Sequence, residues 1–304
     1  MNEFLIGDNL EILKSLDDNS FQMIYMDPPY NTGRDFGEFK DKFASMKSYA
    51  DEFLKPRLVE MRRILRDDGN IIVHVEPRNS HYVRLVLDEV FGESKFKNEI
   101  VWKSGGNAKN LKQLGRHHDV LIVYAKSSKS VFNPVYKPYD EEYKKRSSAK
   151  QESTGRWYVT TAIHNSQPDV NPRLNLRYEW NGIHKQWYVS KEKMQSLHDD
   201  NRLVYNKKGI PRIKRYLDEM SGVPIKDLWT DINQIQGSEK LDYPTQKPVK
   251  LLRRVLRLYT NEGDRVLDPF AGSGTLGRAA NSLNRNYTLI DINEKGKDVF
   301  LKSL

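Results

Sequence analysis

Four consecutive residues, Asp27-Pro28-Pro29-Tyr30, carry the groups best suited to act on a poorly nucleophilic amine. They directly follow Phe21–Met26, an apolar run that reads as a strand. The lone pair of an amine on an aromatic ring is delocalised and reacts slowly. If a carboxylate accepts one N–H and a backbone carbonyl the other, the nitrogen is drawn towards sp3 and the pair is freed. Asp27 and the carbonyl of Pro28 can be those two acceptors. Consecutive prolines fix φ and stiffen the loop, as a site shaped for a transition state requires. Tyr30 offers a flat face on which a base swung out of a duplex can stack. Taken alone, the tetrapeptide could equally be a stiff turn after a strand, so the rest of the chain must decide.

A second motif, Val266-Leu267-Asp268-Pro269-Phe270-Ala271-Gly272-Ser273-Gly274-Thr275, reads as a strand entering a glycine turn and then a helix. Gly272 and Gly274 permit left-handed backbone angles and close approach of a ligand, and the helix start favours a carboxylate or phosphate. With Gly277 the spacing also fits G-x-G-x-x-G, the logic of a dinucleotide site. Asp291, at the end of the next strand, is placed to take ribose hydroxyls under either reading. The turn therefore implies a nucleoside cofactor without naming it. Asp27–Tyr30 makes the choice, because a hydride-transfer enzyme has no use for an amine-activating loop. S-adenosylmethionine is the cofactor expected, and NAD is not.

Composition narrows the chemistry further. The chain of 304 residues has no cysteine. Disulfides and thiolate-bound zinc are thereby excluded, and so is methylation of cytosine C5, which needs a thiolate to attack the ring. No metal-ligand spacing is visible, and no metal is expected. The net charge of +9 is uneven: residues 1–130 hold 20 basic and 20 acidic side chains, 131–240 hold 19 against 14, and 241–304 hold 11 against 7. A basic middle and end fit a polyanion. The N-terminal residues show no basic region leading into an apolar run, and no stretch is apolar enough to span a bilayer, so a cytoplasmic protein is expected.

Elements that could position the two motifs can be read on either side of a change in texture. Phe4–Ile6, Met23–Tyr25, Ile71–Val73, Glu99–Trp102 and Val120–Tyr124 read as strands, and His81–Val90 as a helix. Tyr49–Leu65 has helical apolar spacing, with Asp67-Asp68-Gly69 as the expected stop. From residue 131 to 240 the chain turns polar, aromatic and basic. After it come a helix over Pro248–Tyr259 and strands at Arg265–Asp268 and Tyr287–Ile290. The expected organisation is one α/β domain from residues 1–130 and 241–304, with 131–240 inserted as a region that reads the target. Trp157, Trp180 and Trp187 are expected in the core of that lobe. Lys207, Lys208, Arg212, Lys214 and Arg215, crowded around a Gly-Ile-Pro turn, are expected to contact phosphates. Asn31–Lys42 reads as a mobile loop that closes on DNA, and His117 and His118 as packing residues, not general bases.

Together the two motifs resemble the amino-methyltransferases of bacterial and phage DNA modification systems. Their order, Asp-Pro-Pro-Tyr before the glycine turn, is similar to the circularly permuted β-class. Tyr30 to Gly92 also resembles the modification subunits of type III restriction systems. Several further assignments are implied by the resemblance. Tyr243-Pro244-Thr245-Gln246-Lys247-Pro248 would contribute Thr245, Gln246 and Lys247 to the methionine end of the cofactor, with Tyr243 where the family usually has His. Asp8 would bond the adenine amine. Asp27, Asp268, Phe270, Ala271, Gly272, Ser273, Gly274, Thr275, Asp291 and Ile292 would complete the cofactor site. Arg116-His117-His118-Asp119 would line the base pocket. The implied fold is a Rossmann-like methyltransferase sheet with one antiparallel strand. Asp at position 27 tilts the target towards adenine N6 in double-stranded DNA. Rivals are cytosine N4, adenine in structured RNA, glutamine in a protein, and a DNA-binding subunit without catalysis. A homodimer and a cognate restriction subunit are the protein partners that such a role would bring.

Overall fold

The computed structural model describes the backbone of all residues except 1, 31–33, 36–39, 42, 106–113, 152, 168, 169 and 171, and most side chains elsewhere. The Asn31–Lys42 loop expected to close on DNA lies largely outside the described residues. Eight strands build the main sheet: Glu3–Ile6 (β1), Phe21–Met26 (β2), Leu65–Val75 (β3), Phe96–Trp102 (β4), Asp119–Ala125 (β5), Leu228–Trp229 (β6), Arg265–Asp268 (β7) and Asn286–Asp291 (β8). Their spatial order is β1-β8-β7-β2-β3-β5-β4-β6. β5 runs antiparallel to both its neighbours, and the other pairs are parallel. This is the α/β sheet with one antiparallel strand that the motifs imply.

Burial explains why these segments are strands. All six residues of β2 are buried, as expected for a parallel strand covered on both faces. Ile24 and Met26 point to one face, where they meet Leu13 of a helix Asn9–Ser15 (α1), Leu58 and Met61 of Lys55–Ile64 (α2), and Leu87 of Ser80–Phe91 (α3). Met23 and Tyr25 point to the other. Three more helices follow in the C-terminal part, Val249–Tyr259 (α4), Thr275–Asn281 (α5) and Glu294–Lys302 (α6). No helix among the described residues is long and apolar enough to cross a membrane.

One expected stop signal is misplaced. The helix ends at Leu65, whose ψ of 138° is extended, before Asp67-Asp68-Gly69 is reached. Residues 66–69 instead bulge from β3 between the pairs Phe21↔Leu65 and Met23↔Asn70. Gly69 fits there because a Cβ would lie 2.9 Å from the carbonyl oxygens of Gln22 and Arg66. The preceding turn, Tyr49–Leu54, winds as a π-helix before α2 begins.

Tyr136–Ile225 forms a compact unit by itself. Ala149–Lys150, Trp157–Ala162, Pro211–Tyr216 and Leu203–Tyr205 make an antiparallel sheet, and Arg177–Trp180 pairs with Ile183–Gln186 as a hairpin. Its core holds Trp180, Trp187, Met194 and Leu197, while Trp157 is only half-buried. This unit is narrower than the expected 131–240. Leu228–Trp229, inside the expected range, pairs instead with Val101–Trp102 at the edge of the main sheet. Likewise the Asn133 N–H donates to the Leu258 carbonyl of α4.

Candidate active site

Parallel strands place their carboxyl ends on one edge, and in this sheet β2 and β7 are neighbours although most of the chain lies between them in sequence. Asp27 follows β2 and Asp268 ends β7, so the two motifs face each other across a cavity of about 630 Å³, within the size range of small-molecule sites. Asp27, Pro28, Pro29 and Tyr30 line it, as do Asp8, Thr245, Gln246, Lys247, Asp268, Phe270, Ala271, Gly272, Ser273, Thr275, Asp291 and Ile292. Gly274 is not among the lining residues. It turns the chain: its φ is +70°, and a Cβ there would lie 2.3 Å from Cδ2 of Phe300.

Both oxygens of Asp27 are engaged. The Tyr30 hydroxyl donates to Oδ1 and the Lys247 ammonium to Oδ2. Asn79, at the start of α3, donates from its side chain to the Tyr30 carbonyl and so anchors the end of the loop. Burial, and then the Asp27 charge, push the Tyr30 phenol well above its usual range, so it stays a donor. Lys247 lies 5.8 Å from the Tyr30 ring centroid.

On the other wall, the Gly272 N–H donates to Asp291 Oδ2 at 2.7 Å and the Asn293 N–H to Oδ1 at 2.9 Å. Burial raises the Asp291 pKa, with these donors opposing it. Asp268 is buried, accepts from the Phe270 N–H at 3.0 Å, and is pushed well above the carboxylate range by burial. Gly272 adopts φ +50°, and a Cβ there would lie 3.2 Å from Tyr243 Cε1. Tyr243 therefore packs beneath the turn. Gln246 braces its own loop, accepting from the Leu241 N–H at 2.8 Å and donating to the Glu239 carbonyl at 2.9 Å. Thr245 holds a φ of +60°, a conformation uncommon outside glycine.

Asp8 caps α1 through the Leu10 N–H at 2.8 Å and meets Arg57 at 3.3 Å. Arg57 is a lining residue that sequence reasoning missed. It is buried in α2, donates to Asn9 Oδ1 at 2.6 Å, and stacks 4.0 Å over the Phe53 ring. Asn9 in turn donates to the Pro269 carbonyl at 2.7 Å, so α1, α2 and the turn after β7 are tied together. No local pattern announces this, because the partners lie 48 and 260 positions apart. Phe43 and Phe53 also line the cavity. Arg116, His117, His118 and Asp119 do not, and Asp119 instead faces His74. Among the described residues no group of three or more His, Asp or Glu could hold a metal ion.

The basic cluster of the second unit divides. Lys207 and Lys208 are exposed. Arg212 donates to Thr160 Oγ1 at 2.9 Å and to its carbonyl at 3.0 Å, and exposed Arg215 to Thr161 Oγ1 at 3.3 Å. Lys214 corrects the expectation of a phosphate contact. It is 7% exposed, donates to the Asn201 carbonyl at 2.9 Å, and burial lowers its pKa. Strand alternation puts it on the same side as buried Tyr216, so its ammonium is spent inside the unit.

Comparison with known proteins agrees with this geometry. A family described as DNA methylase, covering N6 and N4 enzymes, matches residues 21–302. The type II methyltransferase M.EcaI of Enterobacter cloacae is 30% identical over 95% of this chain and 66% of its own length. The StyLTI Mod subunit of Salmonella typhimurium, a type III restriction-modification enzyme, is 28% identical over 93% of this chain and 50% of its own length. The chain thus spans between half and two thirds of these two relatives. In fold it is similar to M1.HpyAVI, solved as a SAM complex, with a TM-score of 0.55, 18% identity, and 99% of this chain and 98% of that one covered. The cytosine-N4-specific PvuII methyltransferase gives a TM-score of 0.51 at 16% identity, covering 99% of this chain and 92% of that one. The match over nearly the whole sequence, with both motifs opening into one cavity, places this chain in the N6/N4 DNA methylase family.

Proposed function

We propose that this protein transfers a methyl group from S-adenosylmethionine to the N6 amine of adenine in duplex DNA, with the base turned out of the helix. The observation that carries the reading is the shared cavity: Asp27 and the Gly272–Asp291 turn line the same space. The cofactor supplies an activated methyl group on a sulfonium. Asp291 takes its ribose hydroxyls, Asp8 its adenine amine, and Thr245, Gln246 and Lys247 its methionine end, while Phe270 and Ile292 cover its apolar surface. The cradle fits such a ligand because the glycine turn lines the cavity beside the Asp291 carboxylate that its Gly272 N–H holds in place. Asp27 and the Pro28 carbonyl accept the two N–H bonds of the target amine, and Tyr30 stacks on the base. Holding donor and acceptor in line is the main source of rate.

Adenine is favoured over cytosine by Asp at position 27, and by a DNA adenine methyltransferase, YhdJ of Escherichia coli, that is 26% identical over 95% of this chain and 78% of its own length. The unit Tyr136–Ile225 reads the target sequence, the DNA-binding role expected of the insertion. The Mod relatives point to a cognate restriction subunit as partner, and a homodimer and a cytoplasmic setting in a prokaryote or phage accompany that role. Two measurements test the reading. Calorimetric titration should give tight binding of S-adenosylmethionine and none of NAD. Nucleoside digestion and mass spectrometry of treated DNA should show N6-methyladenine. NAD binding would refute the donor, and N4-methylcytosine would refute the base.

The path of the DNA makes a separate prediction. Removing one cation that pairs with a phosphate lowers the salt slope of binding by about one. Changing Lys207 and Lys208 to Ala should therefore flatten the slope by about two on every duplex. Lys214→Ala should leave the slope unchanged and lower stability by about 1 kcal/mol, because its part-buried hydrogen bonds to exposed Asn201 are lost. A slope that responds to Lys214 and not to Lys207 and Lys208 would reverse the assignment.

A further inference from the structure

Three polar side chains lie in a row on the face of the sheet away from α1–α3: Asp119 of β5, His74 of β3 and Tyr25 of β2. Their neighbours in sequence, Val120, Val73, Val75, Ile24 and Met26, pack on the helix side, and alternation sends these three the other way. His74 is fully buried and Tyr25 is 2% exposed. The Tyr25 hydroxyl is 2.8 Å from His74 Nδ1, and Asp119 Oδ2 is 3.5 Å from Nε2. Trp102 meets the imidazole edge-on at 5.8 Å, with its own N–H committed to the Ile232 carbonyl. The reaction proposed above uses none of this row.

The row has a direction. Burial opposes the charge of Asp119, but the His74 N–H that faces it, with the charges of Lys247 and Arg116, outweighs it and brings the carboxyl below its usual range. An anion beside Nε2 favours the imidazole tautomer with its proton on Nε2. Nδ1 then carries a lone pair. Burial, with Asp27, Asp268 and Asp119 adding to it, keeps the Tyr25 phenol protonated, and its one proton goes to Nδ1. The phenol oxygen, on a residue that lines the cavity, is left with lone pairs and nothing to donate.

We infer that the Asp119–His74–Tyr25 row fixes the Tyr25 oxygen as an acceptor on the cavity floor, where it faces the positively charged sulfonium end of the methyl donor. The inference rests on the methyl-transfer reading. Tyr25 stands two residues before Asp27 on the same side of β2. An amine held at Asp27 must come within about 3–3.5 Å of the methyl carbon, so the sulfonium lies close to this part of the floor. Other acidic groups there are already spent: Asp27 is engaged by Tyr30 and Lys247, and burial disfavours the charge of Asp268.

The discriminating pair of ligands is S-adenosylmethionine, a cation at sulfur, and S-adenosylhomocysteine, its neutral thioether. Tyr25→Phe keeps the ring and removes the oxygen. It should weaken the first ligand roughly fivefold and change the second by less than about twofold, the scale of a weak polar contact. Asp119→Asn should shift the same ratio in the same direction by less. Nitrogen-15 spectra of histidine-labelled protein, with His74→Gln to identify the signal, should show Nδ1 unprotonated. Equal losses for both ligands, or a proton on Nδ1, would overturn the inference while leaving methyl transfer intact. A wild-type protein that binds neither ligand would overturn the methyl-transfer reading and this one with it.

Discussion

Asp27→Ala should lower methyl transfer by roughly a hundred- to a thousandfold, the loss that follows removal of one preorganised group aimed at a developing charge. S-adenosylmethionine affinity should stay within a few fold, because Asp27 acts on the acceptor and most lining residues around the glycine turn remain. The geometry adds a complication: Lys247 would lose its carboxylate partner inside the cavity. An unpaired, partly buried ammonium can draw in an anion or displace the Tyr243–Lys247 loop, either of which would disturb donor binding. Asp27→Asn separates the two effects. It keeps one acceptor oxygen, which Lys247 can use while the Tyr30 hydroxyl turns to accept from the new amide N–H, but removes the negative charge that pulls on the amine. Single-turnover rates with saturating donor should fall steeply in both variants, and calorimetry should show near-normal donor binding in the Asn variant. Wild-type turnover in either would remove Asp27 from the chemistry.

How much of this was legible beforehand depends on how local each signal is. Asp27–Tyr30 and Asp268–Thr275 are contiguous, and each follows an apolar run with strand character, so their placement at strand ends could be argued from sequence. Their meeting in one cavity required the topology, in which β7 inserts beside β2. Arg57 and Asn9 were invisible, because an arginine on a helix ordinarily faces water and its burial depends on partners far along the chain. Lys214 was misread for the opposite reason. A lysine within Arg-Ile-Lys-Arg looks solvated until strand alternation is known. Asp67-Asp68-Gly69 has the composition of a helix stop, yet the same residues serve as a bulge once β3 begins at Leu65. Leu228–Trp229 is too short to carry periodicity and joins the sheet through its parallel register with β4.

Gly296 is the sharpest case of a residue whose importance only the fold reveals. It lies within α6, where Gly→Ala should ordinarily stabilise by about 1 kcal/mol through helix propensity. A Cβ at this position, however, would stand 2.3 Å from the Gly272 carbonyl oxygen and 3.1 Å from its carbon. The first distance is about an ångström inside ordinary contact, and the obstacle is backbone, which cannot rotate away as a side chain can. Overpacking of this kind costs roughly 1–3 kcal/mol, so the clash should at least cancel the propensity gain. The strain also falls on a functional part, since Gly272 lines the cavity and its N–H holds Asp291 in place. Gly296→Ala should therefore weaken S-adenosylmethionine binding by about tenfold, an effect of roughly 1.4 kcal/mol, with no gain in melting temperature. Asp298→Ala, at an exposed position of the same helix, is the control for propensity and should leave donor affinity unchanged. A Gly296→Ala protein that melts higher and binds the donor normally would show that α6 can move away from the glycine turn, and that the close approach of the two is not what shapes the cofactor wall.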